Sequence, residues 1–481
     1  MIESLLVLVV LVVVAYLIVK NYHPALSLII GALVLLACAW MLGHPIYPAG
    51  EGTGFGLFDI FLKFKDTIIA QVSSAGIVIM ILFGYSGYMN AIGANQMAVN
   101  FLVKPLMKIK RKSLFVPVVF LIGNLMSLVV PSASSLAIIL MSILYPMLAS
   151  MGISSLTAAG VIAMTATIMP TPLGADNVIA ANTLGYDVLN YVVWNAKISL
   201  PSLLIIAVAQ YFWQKYCDKK EGEAAYVSLN EEGLSKQKEF DVPKFYAILP
   251  ILPLLLIVGV GIAGMFIKGI TMDIFVLTFI SFFIAVLVET LRLKSFKKVQ
   301  DTAVEMFKGM GQGFSQVVML VVGGSLFTSA IQTLGIIDSI MASVEASSSA
   351  FTSAIQTLGI IDSIMASVEA SSSAGIVTTL IFSGATTLFG ILSGGGLAMF
   401  YAVIELIPGI AEKAGIDGIL ISLPMQMIAN LTRTISPVAA VVMIVASTVG
   451  VSPIRILKRT SVPTIIGIIS VIVLSILLLP Y

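Results

Sequence analysis

Charge is what this chain has least of. Only 10% of its 481 residues are Asp, Glu, Lys or Arg, and 26 basic residues nearly balance 24 acidic ones, for a net charge of +2. A soluble chain carries roughly a quarter charged residues. The basic residues stand in short clusters, so they offer no surface to nucleic acid. Cysteine is nearly missing too: Cys38 lies in an apolar run and Cys217 beside a basic loop. That excludes a disulfide framework and gives no metal-ligand spacing. His23 and His44 flank one early helix, far in sequence from other ligands, and no metal site is expected. Clusters of titratable groups, which an intramembrane enzyme needs, are absent, leaving enzymatic activity the most distant reading. The glycine-rich run Gly309-Met310-Gly311-Gln312-Gly313 lacks the Lys-Ser/Thr of a phosphate loop. Nothing points to ATP hydrolysis or a cofactor.

What the chain has instead is apolar length. Hydrophobic residues make up 59% and the mean hydropathy is +1.07. Apolar runs of about twenty residues suit a bilayer core of roughly 30 Å. They predict spans near 4–19, 25–42, 74–93, 155–184, 198–213, 245–264, 271–291, 313–334, 418–450 and 463–480. The first run is long and followed at once by another, so no cleaved signal is expected. Two further stretches, 114–150 and 375–408, are too long for one helix and are broken by Pro131 and by Gly394-Gly395-Gly396. Each reads as a re-entrant hairpin. Basic clusters at Lys104 to Lys112, Lys215 to Lys220, Arg292 to Lys298 and Arg455 to Arg459 then share one side, the cytoplasm. They would share it even if the broken stretches were ordinary pairs of spans, so the charges support the span list more than the hairpins. Both termini fall on the periplasmic side, and 214–244 reads as a solvated cytoplasmic linker.

The linker divides the chain into halves of one plan, 1–213 and 245–481. Each has two spans, an amphipathic segment, a span, a hairpin, a broken span, a second amphipathic segment and a closing span. Segment 55–70 matches 296–310, and 185–197 matches 452–460. Ser132-Ala133-Ser134-Ser135-Leu136-Ala137 leads to Pro146 and Gly152-Ile153; Ser393-Gly394-Gly395-Gly396-Leu397-Ala398 leads to Pro408 and Gly415-Ile416. An odd number of crossings in the first half inverts the second. Inverted repeats with interrupted helices are a transporter signature and place the site near the midplane. The expected fold is therefore an all-α integral membrane protein: a polytopic inverted-repeat transporter with about ten spans, two re-entrant hairpins and two broken helices. A second repeat differs in kind, since 327–350 recurs without one change as 351–374. Identity over 24 residues marks a recent tandem duplication or a sequence-assembly fault rather than a structural unit. Either copy could continue the helix that starts near Gly313.

Four segments break the apolar background. The hairpin tips offer Ser132, Ser134 and Ser135, and Ser393, Gly394 and Gly395; the broken spans offer Thr171, Gly174 and Asn177, and Asn430, Thr432, Arg433, Thr434 and Ser436. Ser436 reads as an N-cap with Pro437 at the first helical position. Non-helical backbone at membrane depth is tolerated only against protein or a water-filled cavity. The amides at a half-helix start suit an anion. Arg433 is the sharpest signal: an arginine within an apolar span is costly, and its planar fork can grip a carboxylate twice. Its structural alternative is a pair with Asp176 or with carbonyls. Asp176 reads as a proton carrier, a cation ligand or a helix cap, and Glu405, three residues before Pro408, as a second coupling candidate. Asn124 reads as an interhelical hydrogen bond, and Gly84, Gly87 and Gly93 as close-packing positions.

Several stretches carry a family resemblance: Met89-Asn90-Ala91-Ile92-Gly93-Ala94-Asn95, Phe212-Trp213-Gln214-Lys215-Tyr216, Phe245-Tyr246-Ala247-Ile248-Leu249-Pro250, Asn430-Leu431 with Arg433-Thr434 and Ser436-Pro437, and Lys458-Arg459-Thr460-Ser461-Val462-Pro463. Through them the chain resembles, almost end to end, the DcuC/DcuD-type anaerobic C4-dicarboxylate carriers of the ion-transporter superfamily. The resemblance implies a multi-pass bacterial inner-membrane carrier that exports succinate or exchanges it for fumarate, coupled to protons or sodium. It also implies a site where two hairpin tips face two broken spans. A homodimer is one assembly open to it, and amino acids or other carboxylates are alternative cargo. The duplication is the one departure from the family's pattern.

Overall fold

The computed structural model describes residues 2–20, 22–48, 50–104, 115–128, 130, 132–226, 240–267, 273–335 and 372–480. Their regular structure is helical throughout. In the first half, α1 is Ile2–Val19, α2 Pro24–Met41, α3 Gly56–Ala91, α4 Ala94–Val103, α5 Phe115–Leu125, α6 Ala133–Ser150, α7 Ser155–Ala163, α8 Ala175–Leu184 and α9 Val188–Glu221. In the second half, α10 is Leu252–Phe266, α11 Ile274–Leu293, α12 Phe296–Thr333, α13 Ser372–Ser393, α14 Leu397–Val403, α15 Ile407–Ala414, α16 Ile419–Thr432, α17 Ala440–Val449 and α18 Pro453–Leu478. Nine helices among the described residues are long and apolar enough to cross a bilayer.

The expected amphipathic segments do not stand apart from the spans that follow them. Segment 55–70 runs into 74–93 as the continuous α3, and 296–310 runs into 313–334 as α12, each through one π turn, Val72–Gly76 and Phe314–Val318. No proline ends either amphipathic stretch, so the helix carries on, and the wider turn absorbs the change of face. Likewise 185–197 opens the 34-residue α9 and 452–460 opens α18. The linker expected from 214 begins later, because α9 keeps its helix to Glu221 and buries Gln214 and Cys217. Residues 227–239 lie outside the described residues, as do Pro131, most of the basic stretch after Lys104, and 336–371 of the duplicated region. At the duplication's edges, the start of the first copy continues α12 to Thr333, and the end of the second opens α13 at Ser372.

Two short helices form the centre. Every residue of α7 and of α16 is buried. A helix that is apolar all round belongs inside a bundle, and the other helices close around these two. The α3–α12 contact is set by glycines: a Cβ on Gly84 would lie 2.7 Å from the Met306 carbonyl oxygen, and one on Gly309 2.6 Å from that of Phe83. Gly93 is also closely packed, since a Cβ there would run into the Phe240 ring, and it has a second use. Its φ of 77° makes the turn from α3 into α4, a left-handed conformation that glycine adopts without strain.

The closing helices α9 and α18 are fastened by charge. Arg459 is fully buried, and its guanidinium donates to Asp218 at 2.6 Å, Glu221 at 2.9 Å and Thr157 at 3.0 Å. Gln214 donates to the Arg459 carbonyl at 2.8 Å. The sequence groups Arg459 with Arg455 and Lys458 as cytoplasmic surface charge. Within that cluster α18 turns Arg459 inward, onto the two carboxylates at the end of α9.

Candidate functional site

Each central helix stops and restarts further on. Between α7 and α8 the chain is non-helical over 164–174, and between α16 and α17 over 433–439. Pro170 and Pro172 keep the first gap open by removing two backbone donors. Within it Ala166 holds φ at 56°, an unusual conformation for a residue with a side chain. Asn124 braces that backbone: its Oδ1 accepts from the Thr167 amide at 2.9 Å and hydroxyl at 2.8 Å, while its amide donates to the Met164 carbonyl at 3.3 Å. This is the interhelical bond expected of Asn124.

The two gaps share a cavity of about 80 Å3. A single water needs only about 10–15 Å3 of such space, so the cavity has room for a small polar ligand or several waters. Thr171, Gly174, Asp176 and Asn177 line it from one side, Gln426, Asn430 and Arg433 from the other, with Ser127, Thr167 and Asn195 adding polar atoms. Gly174 lets the backbone approach, since a Cβ there would lie 2.8 Å from the Asp176 carboxylate. Hydrogen bonds tie the two sides together. Asn430 donates to Asp176 Oδ2 at 2.7 Å; Gln426 and Asn195 donate to Asn177 Oδ1 at 2.8 and 2.9 Å; Tyr191 donates to Gln426 at 2.8 Å.

Arg433 is the C-cap residue of α16. Its guanidinium faces the cavity, and among the described residues it has no hydrogen-bond partner and no carboxylate at ion-pair distance. The pair with Asp176 offered as its structural alternative is not formed. The turn beneath it is pinned: Thr460 donates to the Thr434 carbonyl at 2.6 Å, and the hydroxyls of Thr434 and Thr464 stand 2.6 Å apart. Asp176 lies in the first turn of α8, whose N-cap is Gly174, so it is a first-turn acid rather than the cap.

Of the residues singled out in the sequence, Thr171, Gly174, Asp176, Asn177, Asn430 and Arg433 converge on this cavity. Thr434 turns toward α18 instead, and Thr432 is fully buried against α13, where Gly390 leaves it room. Ser436 is not an N-cap. The chain stays irregular past Pro437, α17 starts at Ala440, and Ser436 donates to the Ile391 carbonyl at 2.7 Å. With the Gly396 amide donating to the Ala429 carbonyl at 3.2 Å, that bond docks the second tip on α16. Gly395 comes close to Arg433, 3.8 Å from a built Cβ to the arginine's own, whereas Ser393 bonds back to Phe389 and Gly395. Ser132 caps α6, accepting from the Ser135 amide at 3.3 Å, and neither they nor Ser134 line the cavity. Glu405 stands outside it as well. Sequence reasoning missed Gln426, Asn195, Ser127 and Thr167. Gln426 was accessible, one turn before Asn430 on the same face.

A bundle of apolar helices whose two central members break around a polar, charged cavity is the build of a polytopic membrane carrier. The model of the C4-dicarboxylate anaerobic carrier family, DcuC, matches residues 2–480. The "probable anaerobic C4-dicarboxylate transporter DcuC" of Vibrio cholerae is 35% identical, the alignment covering 100% of this chain and 98% of that one. DcuC of Escherichia coli K12 is 34% identical, covering 100% and 97%. Two solved structures share the fold: Neisseria gonorrhoeae MtrF, reported within a class of antimetabolite efflux pumps, and the Alcanivorax borkumensis YdaH transporter. Their TM-scores are 0.57 and 0.58, at 14% and 13% identity, over 95% of this chain and 95% and 98% of theirs. The chain belongs to the DcuC family of anaerobic C4-dicarboxylate carriers. It is a multi-pass protein of the bacterial inner membrane and a transporter rather than an enzyme.

Proposed function

We propose that the chain carries C4-dicarboxylates such as succinate, fumarate and malate across the inner membrane, by succinate efflux or succinate–fumarate exchange coupled to protons, and binds them in the cavity between the two broken helices. The observation that carries this reading is the Arg433 guanidinium: a cation facing a polar cavity with its donors unspent. Its fork matches one carboxylate of the substrate, and the amides opening α8 at Gly174 to Asn177 supply partial positive charge across the cavity. Asn430, Gln426 and Thr171 add neutral groups that can orient the anion. A π turn at the same place in each half, Val72–Gly76 and Phe314–Val318, supports treating 1–213 and 245–481 as inverted repeats joined through 214–244, with 114–150 and 375–408 as re-entrant hairpins. In that arrangement the cavity sits where the repeats meet and can face either side in turn.

Counterflow in proteoliposomes tests the reading. Vesicles loaded with unlabelled succinate are expected to take up labelled fumarate saturably, and external malate to compete. Fumarate entry that ignores internal succinate would contradict exchange. Competition by amino acids but not by malate would move the carrier to a different cargo.

A further inference from the structure

Glu405 is a carboxylate set among neutral groups. It lies in the short 3-10 turn Ile404–Leu406 that follows α14, and it is partly buried. Its Oε1 accepts from Gln71 Nε2 at 3.3 Å, and the same amide donates to the Ser325 hydroxyl at 2.9 Å, so Gln71 bridges the two. The three residues come from three places in the chain. Gln71 immediately precedes the π turn of α3, and Ser325 lies on α12 beyond its own π turn. The elements packed against the Glu405 turn are α8, α12, α14 and α15. Their titratable groups are Asp176 on α8; Lys297, Lys298, Asp301, Glu305 and Lys308 on α12, all before its π turn, with Lys308 paired to Glu305; Tyr401 on α14; and Glu412 and Lys413 on α15. The partner of Glu405 Oε1 is the neutral amide of Gln71. On the α3 side, Asp66 is taken by Lys65 and Tyr47.

Two features connect this cluster to transport. The Glu405 turn packs against α8, whose first turn supplies Asp176 and Asn177 to the binding cavity, and α14 packs against α16, which supplies Gln426 and Asn430. The seam that Glu405 crosses is also tightly packed, since a side chain at Gly324 would run into the Tyr401 carbonyl. If α14 and its following turn shift along α3 and α12, Glu405 must leave Gln71 and Ser325. An ionised carboxylate without partners at membrane depth is costly, and a protonated one much less so. Asp176 is in a different position: it shares its cavity with a guanidinium and keeps the bond from Asn430.

We propose that Glu405, held by Gln71 and Ser325, is the group that takes up and releases the coupled proton, so that its protonation licenses movement across this seam. The inference rests on the reading of the chain as a proton-coupled dicarboxylate carrier. Glu405→Gln keeps the shape and hydrogen bonding of the protonated acid but holds no exchangeable proton. In proteoliposomes the variant is expected to retain succinate–fumarate counterflow within about twofold while losing accumulation driven by a pH gradient. One pH unit sustains about tenfold accumulation per coupled proton, so the loss is readily measured. Glu405→Asp, which still titrates, is expected to restore part of that accumulation. Gradient-driven accumulation by Glu405→Gln at the wild-type level would overturn the proposal. Loss of counterflow in both variants would overturn it too, by making the residue a structural support. Wild-type protein that shows counterflow but no accumulation driven by a pH gradient would defeat the proton site alone, whereas absence of wild-type counterflow would defeat the dicarboxylate reading beneath it.

Discussion

Two arginines of the second half sit in opposite electrostatic settings. Arg459 is paired through its terminal nitrogens with two carboxylates, a threonine and a glutamine, while Arg433 keeps its donors free toward a cavity. The first is a fastening. Removing one partner of a buried ion pair typically costs 3–5 kcal/mol, and because Asp218 and Glu221 can still reach solvent the lower end applies. Arg459→Leu should therefore destabilise the protein by about 3 kcal/mol. The effect is expected as a lower melting temperature in detergent, with succinate affinity unchanged in the molecules that stay folded; an unchanged melting temperature would show the pair to be dispensable. Sequence alone could not separate these roles. Arg459 adjoins Lys458 and looks like surface charge, and only the docking of α18 on α9 shows which way it points. Arg433 was legible because an arginine in an otherwise apolar span has few uses. The hydroxyls beside it were misread for a related reason: Thr432, Thr434 and Ser436 look like ligands by composition, yet each satisfies a nearby backbone carbonyl instead.

Among the elements, the broken helices were the most legible. Pro170, Pro172, Gly174 and Pro437 announce interruptions, and irregular backbone in an apolar stretch needs a polar cavity. Less visible were the π turns that weld amphipathic segments to spans, since a one-residue change in helical register leaves no compositional mark. Nor could spacing show that Glu405 meets Gln71 and Ser325, because that meeting depends on how α14 lies across α12. The glycine seam there gives a sharp contrast. Gly324→Ala places a methyl against backbone, which cannot swing aside, and should push α14 off α12. Displacements of about 1 Å near a functional site can cost around a hundredfold in rate. A fall in initial transport rate of at least about tenfold is expected on that scale. Gly384→Ala on α13 meets nothing within 4 Å and should leave the rate intact. Equal rates for the two variants would remove the seam from the mechanism.

Across the whole molecule, the cavity forms where the breaks of the two halves meet, so neither half alone contains the site. Thr171, Gly174, Asp176 and Asn177 come from the first half; Gln426, Asn430 and Arg433 come from the second. Family membership fixes the class of carrier; the mechanism proposed for it has one guanidinium and one helix start holding a small anion in the cavity. The most direct test of that account is the concentration dependence of succinate–fumarate counterflow in Arg433→Lys, set against the wild type at equal reconstituted amounts. Lysine keeps the charge but loses the planar fork. A half-saturating concentration raised by roughly ten- to a hundredfold, with a normal elution profile and melting temperature, is the predicted result. Wild-type affinity in the variant would contradict the account and place the dicarboxylate elsewhere in the protein.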